Sequence, residues 1–257
     1  MKKTVRILNL IFFVAMVLLN YYAGYFSING NDVASVSDGI DSLFTPAGYV
    51  FLIWGIIYLG LGAFVVYGVS KKQKDNVLID KIGPWFIINA VVNMAWLVAW
   101  LYEIFWLSQV FMVLLLITLI VIYQRLGTGK FKVQNRKNFW FILAPFSLYF
   151  GWVSVATVAN TSVLLVVNGI TEMGISGEFW TIFMLLVAYL LGTLMVILRH
   201  DWIYAFVVIW AAIGIGIENS NSVVLGIAAI IVALGLTLVL YLDRKEKPFA
   251  IRLTKKG

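Results

Sequence analysis

Residues 44–58 read Phe-Thr-Pro-Ala-Gly-Tyr-Val-Phe-Leu-Ile-Trp-Gly-Ile-Ile-Tyr, and no charged residue follows until Lys71. The opening half suits a loop, because Pro46 has no backbone N–H to donate and Gly48 tolerates sharp turns. The second half stays apolar long enough to cross the ~30 Å hydrocarbon core of a bilayer, which takes about 20 residues of α-helix. Only a helix or a closed barrel satisfies its own backbone there. The stretch predicts the outer start of a transmembrane helix, and its aromatic residues raise the question of a binding-site wall.

The rest of the chain agrees. Of 257 residues 62% are hydrophobic and 12% charged, with a mean hydropathy of +0.97, against roughly 45–50% apolar and 25% charged in soluble domains. Apolar runs predict eight spans, at 5–27, 46–69, 82–102, 106–126, 139–160, 179–199, 202–218 and 221–242. This count puts all 19 Lys and Arg on one side, and Asp32, Asp38, Asp41, Glu103, Glu172, Glu178 and Glu218 on the other. A miscounted span would scatter them. By the positive-inside rule both termini are cytoplasmic. The run 139–170 would be ~48 Å long as a helix; it is read as one long helix ending near Asn168, since two crossings would break the charge pattern. The first span follows Lys2, Lys3 and Arg6 and is read as an uncleaved helix rather than a signal peptide. The predicted fold class is an all-α polytopic bundle, with both ends inside, in a cell membrane, taken as a bacterial plasma membrane.

A net charge of +7 would suggest nucleic acid in a soluble protein, but here it marks cytoplasmic loops, and no nucleic-acid partner is expected. The absence of cysteine and the single histidine, His200, exclude disulfides, thiolate chemistry and a His-rich metal centre. No carboxylate pair or nucleophile with an adjacent base is evident, so no catalytic residue is assigned. The basic loops 70–81 and 127–138 read as solvated inner connections, and His200 as solvated in a tight inner turn. The outer loop 28–45 is polar, acidic and long enough to fold over the membrane surface.

Depth sorts the tryptophans. Trp85, Trp106, Trp140, Trp180 and Trp202 fall near span ends, where indole rings anchor at the headgroups; Trp54, Trp96, Trp100, Trp152 and Trp210 lie deeper. Phe51, Trp54, Tyr58 and Gly62 share one helical face by spacing, as do Asn89, Asn93, Trp96 and Trp100 in the third span and Trp152, Ala156 and Asn160 in the fifth. Trp54, Asn93, Trp96 and Trp152 come to similar depths below the outer boundary. They therefore define either an outward-facing pocket or an aromatic packing seam with asparagines as interhelical hydrogen-bonding glue.

At these residues the chain resembles the tryptophan-rich sensory protein family (TspO/MBR), which includes the mitochondrial translocator protein. The resemblance rests on Phe44, Thr45, Pro46, Gly48, Phe51, Trp54, Tyr58 and Gly62; on Asn93 and Trp96; and on Trp152, Val153, Ser154, Ala156, Thr157 and Asn160, with Asn168 beyond. The chain departs from the pattern at Ala47, Tyr49, Asn89 and Leu97, lacks one residue between Phe51 and Trp54, and places Pro145 about a turn further from Trp152 than is usual. The resemblance implies a five-helix core (1–170) that binds a planar hydrophobic ligand, a porphyrin or a sterol, beneath the first loop. It implies Trp54, Trp96 and Trp152 as stacking walls beside Phe51 and Tyr58, Asn93 and Asn160 as polar contacts, Ala156 as space, and Phe44, Pro46 and Gly48 as a lid. No obligatory cofactor is expected, a porphyrin or haem-type molecule being a ligand.

Three further helices (171–242) and a basic tail (243–257) follow. Gly214 and Gly216 in span seven, and Gly226, Ala229, Ala233 and Gly235 in span eight, predict a closely packed hairpin. The expected partners are the lipid bilayer and a hydrophobic small molecule, with room for a homodimer. Three function classes stay open: a ligand-binding sensor, a small-solute transporter or permease subunit, and an enzyme degrading a bound porphyrin.

Overall fold

The computed structural model describes residues 3–128, 135–170 and 176–246. Its long helices are α1 (Lys3–Phe26), α2 (Gly48–Val69), α3 (Trp85–Leu101), α4 (Phe105–Leu126), α5 (Arg136–Val167), α6 (Gly177–Arg199), α7 (Trp202–Glu218) and α8 (Val223–Glu246). Six are long and apolar enough to cross a membrane; α3 and α7, with 17 residues each, are apolar but stand at the short limit of a span. No strand is named among the described residues. The protein is a polytopic helical membrane bundle, as the composition predicts; the basic tail lies largely outside the described residues.

Helix α1 packs on α2 and α3, α3 on α4, α4 on α5, and α5 returns to α2. Phe64, Phe86 and Phe146, from α2, α3 and α5, are almost fully buried and meet mostly edge-to-face, with ring centroids 5.0–6.0 Å apart, the geometry their quadrupoles favour. The other three helices join this set chiefly through α7, which lies against α5 and also contacts α6 and α8; α6 touches α5 as well.

The long fifth helix is one element. It begins at Arg136, widens to a π-helical stretch over Phe139–Leu143, and runs as α-helix from Ala144 to Val167. Pro145 has no N–H for the ordinary i−4 bond, and its ring crowds that carbonyl, so a widened turn directly before it relieves the mismatch.

Of the inner features read as solvated, the 127–138 connection lies outside the described residues over 129–134, the 70–81 connection keeps most of its lysines at the surface but is anchored from within, and His200 is half-buried against α8. The 70–81 connection contains a short helix, Val77–Ile82, whose Ile79 and Ile82 are fully covered, and buried Arg6 of α1 holds the connection from below. His200 Nδ1 lies 2.7 Å from Asp243 Oδ1 of α8. Its neighbour Asp201 is 5% exposed and caps α7 by accepting from Tyr204 N. Burying such groups is costly unless each finds partners, and sequence spacing does not reveal partners that arrive from other helices.

The small residues of α7 and α8 serve more than one contact. A Cβ on Gly216 would stand 2.8 Å from Ala229 Cβ, which is the expected close hairpin approach. Gly235 faces Tyr189 of α6, and Gly214 faces the outer loop rather than α8.

Candidate ligand-binding site

The outer loop is built before the site is. Asp32 caps a short helix, Val33–Asp38, by accepting from the Ala34 and Ser35 amides, and its own amide donates to Ser35 Oγ in return, a capping box. The chain then passes through Leu43 to Ala47 and enters α2 by a tight 3-10 turn, Gly48–Leu52. The loop lies over the outer ends of α3 and α5.

Beneath it is a small cavity of about 50 Å³, walled by Thr45, Pro46, Phe51 and Trp54 from the loop and α2, Trp96 and Trp100 from α3, Met112 from α4, and Trp152, Ala156 and Asn160 from α5. Val33 and Ser37 close its outer edge. Trp54 is the hub. Its ring stacks at 5.9 Å on Trp96 and meets Trp152 edge-on at 6.2 Å; Trp96 stacks at 6.3 Å on Trp100, and Phe51 meets Trp152 edge-on at 6.0 Å. The expected walls therefore converge, and in this conformation they stack on one another.

Polar groups are few and concentrated at one corner. Asn160 Oδ1 accepts from Trp96 Nε1 at 3.2 Å and from Ser108 Oγ at 3.0 Å, and its amide donates to Gln109 Oε1 at 2.9 Å. Gln109 in turn donates to Thr161 Oγ1. Asn160 is thereby satisfied and its orientation fixed. By contrast, Trp152 Nε1 is buried with no hydrogen-bond partner among the described residues, an exception to the usual pairing of buried donors.

Asn93 and Tyr58 lie elsewhere. Asn93 is fully buried outside the cavity wall, donating to Tyr149 OH at 3.2 Å and accepting from Asn20 Nδ2 of α1 at 3.1 Å. It ties α1, α3 and α5 together. Tyr58 stacks on Trp54 at 5.6 Å one turn further in and does not reach the cavity. Of the lid residues, Pro46 lines the cavity, Phe44 is buried beside it and Gly48 opens the 3-10 turn. Spacing pointed to the face of Trp100, four residues after Trp96, but Met112 was missed although Ser108, one helical turn before it, is a polar residue in an apolar span and marks that inward face.

Replacing Asn93 by Ala is expected to lower stability by about 1–2 kcal/mol, since it strands the Asn20 and Tyr149 groups, and to leave ligand affinity within about twofold. Thermal unfolding in detergent and a binding titration on the same preparation check both.

Comparison with known proteins places the whole bundle in one context. The family model described as TSPO-like protein matches residues 6–242. The match runs through α6 and α7 and most of α8, so these helices lie inside the matched region rather than beyond it. No curated protein and no solved structure matches the chain.

Proposed function

The chain belongs to the TSPO-like family, and we propose that it binds a flat, largely apolar small molecule, of porphyrin or sterol type, in the cavity beneath the outer loop. The carrying observation is the convergence of Phe51, Trp54, Trp96 and Trp152 on one cavity, with Trp152 Nε1 buried and unpaired among the described residues. Aromatic walls with a few placed polar groups are how proteins hold such ligands. The free indole N–H asks for an acceptor, a carbonyl or carboxylate, on the ligand's edge.

At about 50 Å³ the cavity is far below the roughly 300–1,000 Å³ of small-molecule pockets. A porphyrin does not fit this closed form. Binding therefore requires the stacked rings to part and the loop over them to lift, so the association is gated by a conformational step.

The test is quenching of intrinsic tryptophan fluorescence by protoporphyrin IX on the purified protein. We expect saturable quenching, weakened about tenfold in Trp152→Phe, the factor that one lost hydrogen bond represents. Absent or non-saturable quenching, or an unchanged affinity in Trp152→Phe, overturns the proposal.

A further inference from the structure

The helices that the cavity does not use hold its cover. Three hydrogen bonds join α7 and its C-cap, Asn219, to the loop and the 3-10 entry of α2, each through a backbone atom on the loop side: Trp210 Nε1 donates to Val50 O at 3.2 Å, the Ala47 amide donates to Gly214 O at 3.2 Å, and Asn219 Nδ2 donates to Leu43 O at 2.8 Å. The Trp210 ring also meets Tyr49 edge-on at 5.3 Å. These anchor points, 43, 47 and 50, bracket Thr45 and Pro46 and directly precede Phe51, the loop residues that wall the cavity. None of Trp210, Gly214 and Asn219 touches the cavity itself.

The fit is close at Gly214. A Cβ there would stand 2.2 Å from Val50 Cγ2 and 3.3 Å from Pro46 Cβ, so only glycine lets the loop seat on α7 at this distance. The contact occupies the outer half of α7, whereas its inner half packs on α5 at Gly151, where a Cβ would meet Tyr204 Cα and Val207 within 3.3 Å. One helix is thus packed against both α5 and the cover of the cavity.

We infer that Trp210, Gly214 and Asn219 form a latch: positioning residues through which α7 holds the loop closed, so that the rate of access to the cavity is set by the C-terminal helices. This rests on the binding reading above for its purpose, but not for its test.

The chain contains no cysteine, so a single introduced thiol reports access without background. Ala159→Cys places one in the cavity wall, and its rate of modification by 2-aminoethyl methanethiosulfonate is measured on the full-length protein in detergent. Adding Trp210→Phe, which keeps a ring and removes the N–H, is expected to speed modification about tenfold, the factor of one lost hydrogen bond. Gly214→Ala, which displaces Val50, is expected to do the same or more. Ile79→Cys, buried at the inner end, serves as the second readout and is expected to react at an unchanged rate. Unaltered Ala159→Cys rates in both variants overturn the latch; so does equal acceleration at Ile79→Cys, which would mean general loosening. If the latch variants behave as expected while protoporphyrin IX fails to bind, the ligand reading falls and the latch stands.

Discussion

Arg6→Ala is expected to destabilise the protein by about 3 kcal/mol, the lower end of the cost of removing one partner from a buried charged network, which lowers the unfolding midpoint by roughly 6–12 °C for a chain of this size. Arg6 is 6% exposed, and its guanidinium makes four bonds: Nη1 to Gly68 O at 3.3 Å and Gln73 O at 2.5 Å, Nη2 to Lys74 O at 2.9 Å and Asp80 Oδ1 at 2.7 Å. Gly68 sits in the last turn of α2, where carbonyls lack helical partners and a cation is favoured. One side chain therefore closes the inner end of α2 and folds the loop that follows. Arg6→Lys should recover less than half of the loss, because a single ammonium cannot serve four acceptors arranged around a planar fork. Thermal unfolding by circular dichroism in detergent provides the measurement, and an Arg6→Ala midpoint within a degree of wild type would remove the network from the account.

Asp201→Ala should cost a similar ~3–5 kcal/mol, combining a lost helix cap with two stranded hydroxyls. The carboxylate accepts from Tyr123 OH at 2.7 Å, from Ser147 Oγ at 2.5 and 2.6 Å and from Tyr204 N at 3.1 Å. It joins α4, α5 and α7 in one contact. Asp201→Asn keeps the shape and one acceptor, and both hydroxyls can turn to accept, so about 1–2 kcal/mol is expected. The two variants also separate the charge from the geometry. Burial pushes the Asp201 carboxyl above its ordinary 3.8, and the bonds from Ser147, Tyr123 and the Tyr204 and Ile203 amides oppose this without cancelling it. A raised folded value means the native state holds the proton more tightly than the unfolded chain does. The stabilisation this provides is complete below the ordinary value and is lost as pH rises through the raised one. Wild type should consequently gain on Asp201→Asn as pH falls from neutral toward 4, and a difference independent of pH would contradict the assignment.

Much of the cavity was legible because helical spacing is rigid. Phe51 and Trp54, Trp96 and Trp100, and Trp152, Ala156 and Asn160 each share a face, and the turns of their helices bring those faces to one level. Depth and face are nevertheless not contact. Asn93 shares both with Trp96 but points to α1 and Tyr149, because a buried amide must find partners wherever neighbouring helices offer them. Tyr58 shares the face of Trp54 one turn too deep. Met112 and Gln109 were missed although their helix carries a signal: Ser108, Gln109 and Thr118 interrupt an apolar span, and Ser108 and Gln109 bond Asn160 of α5 while Thr118 bonds Asn89 of α3.

The amino-acid order alone was enough for the membrane and the number of long helices. The hydrocarbon core demands apolar segments of a set length, and charge must stay out of it. Where α7 goes was settled only by packing. Its glycines read as a seam for α8 alone, and it is the folded chain that turns Gly214 toward Val50 and Pro46 while Gly216 meets Ala229. The burial of Arg6 and Asp201 belongs to the same class. A charge is drawn inside only where backbone carbonyls or hydroxyls from distant segments converge on it, and that convergence exists only once the helices are in place.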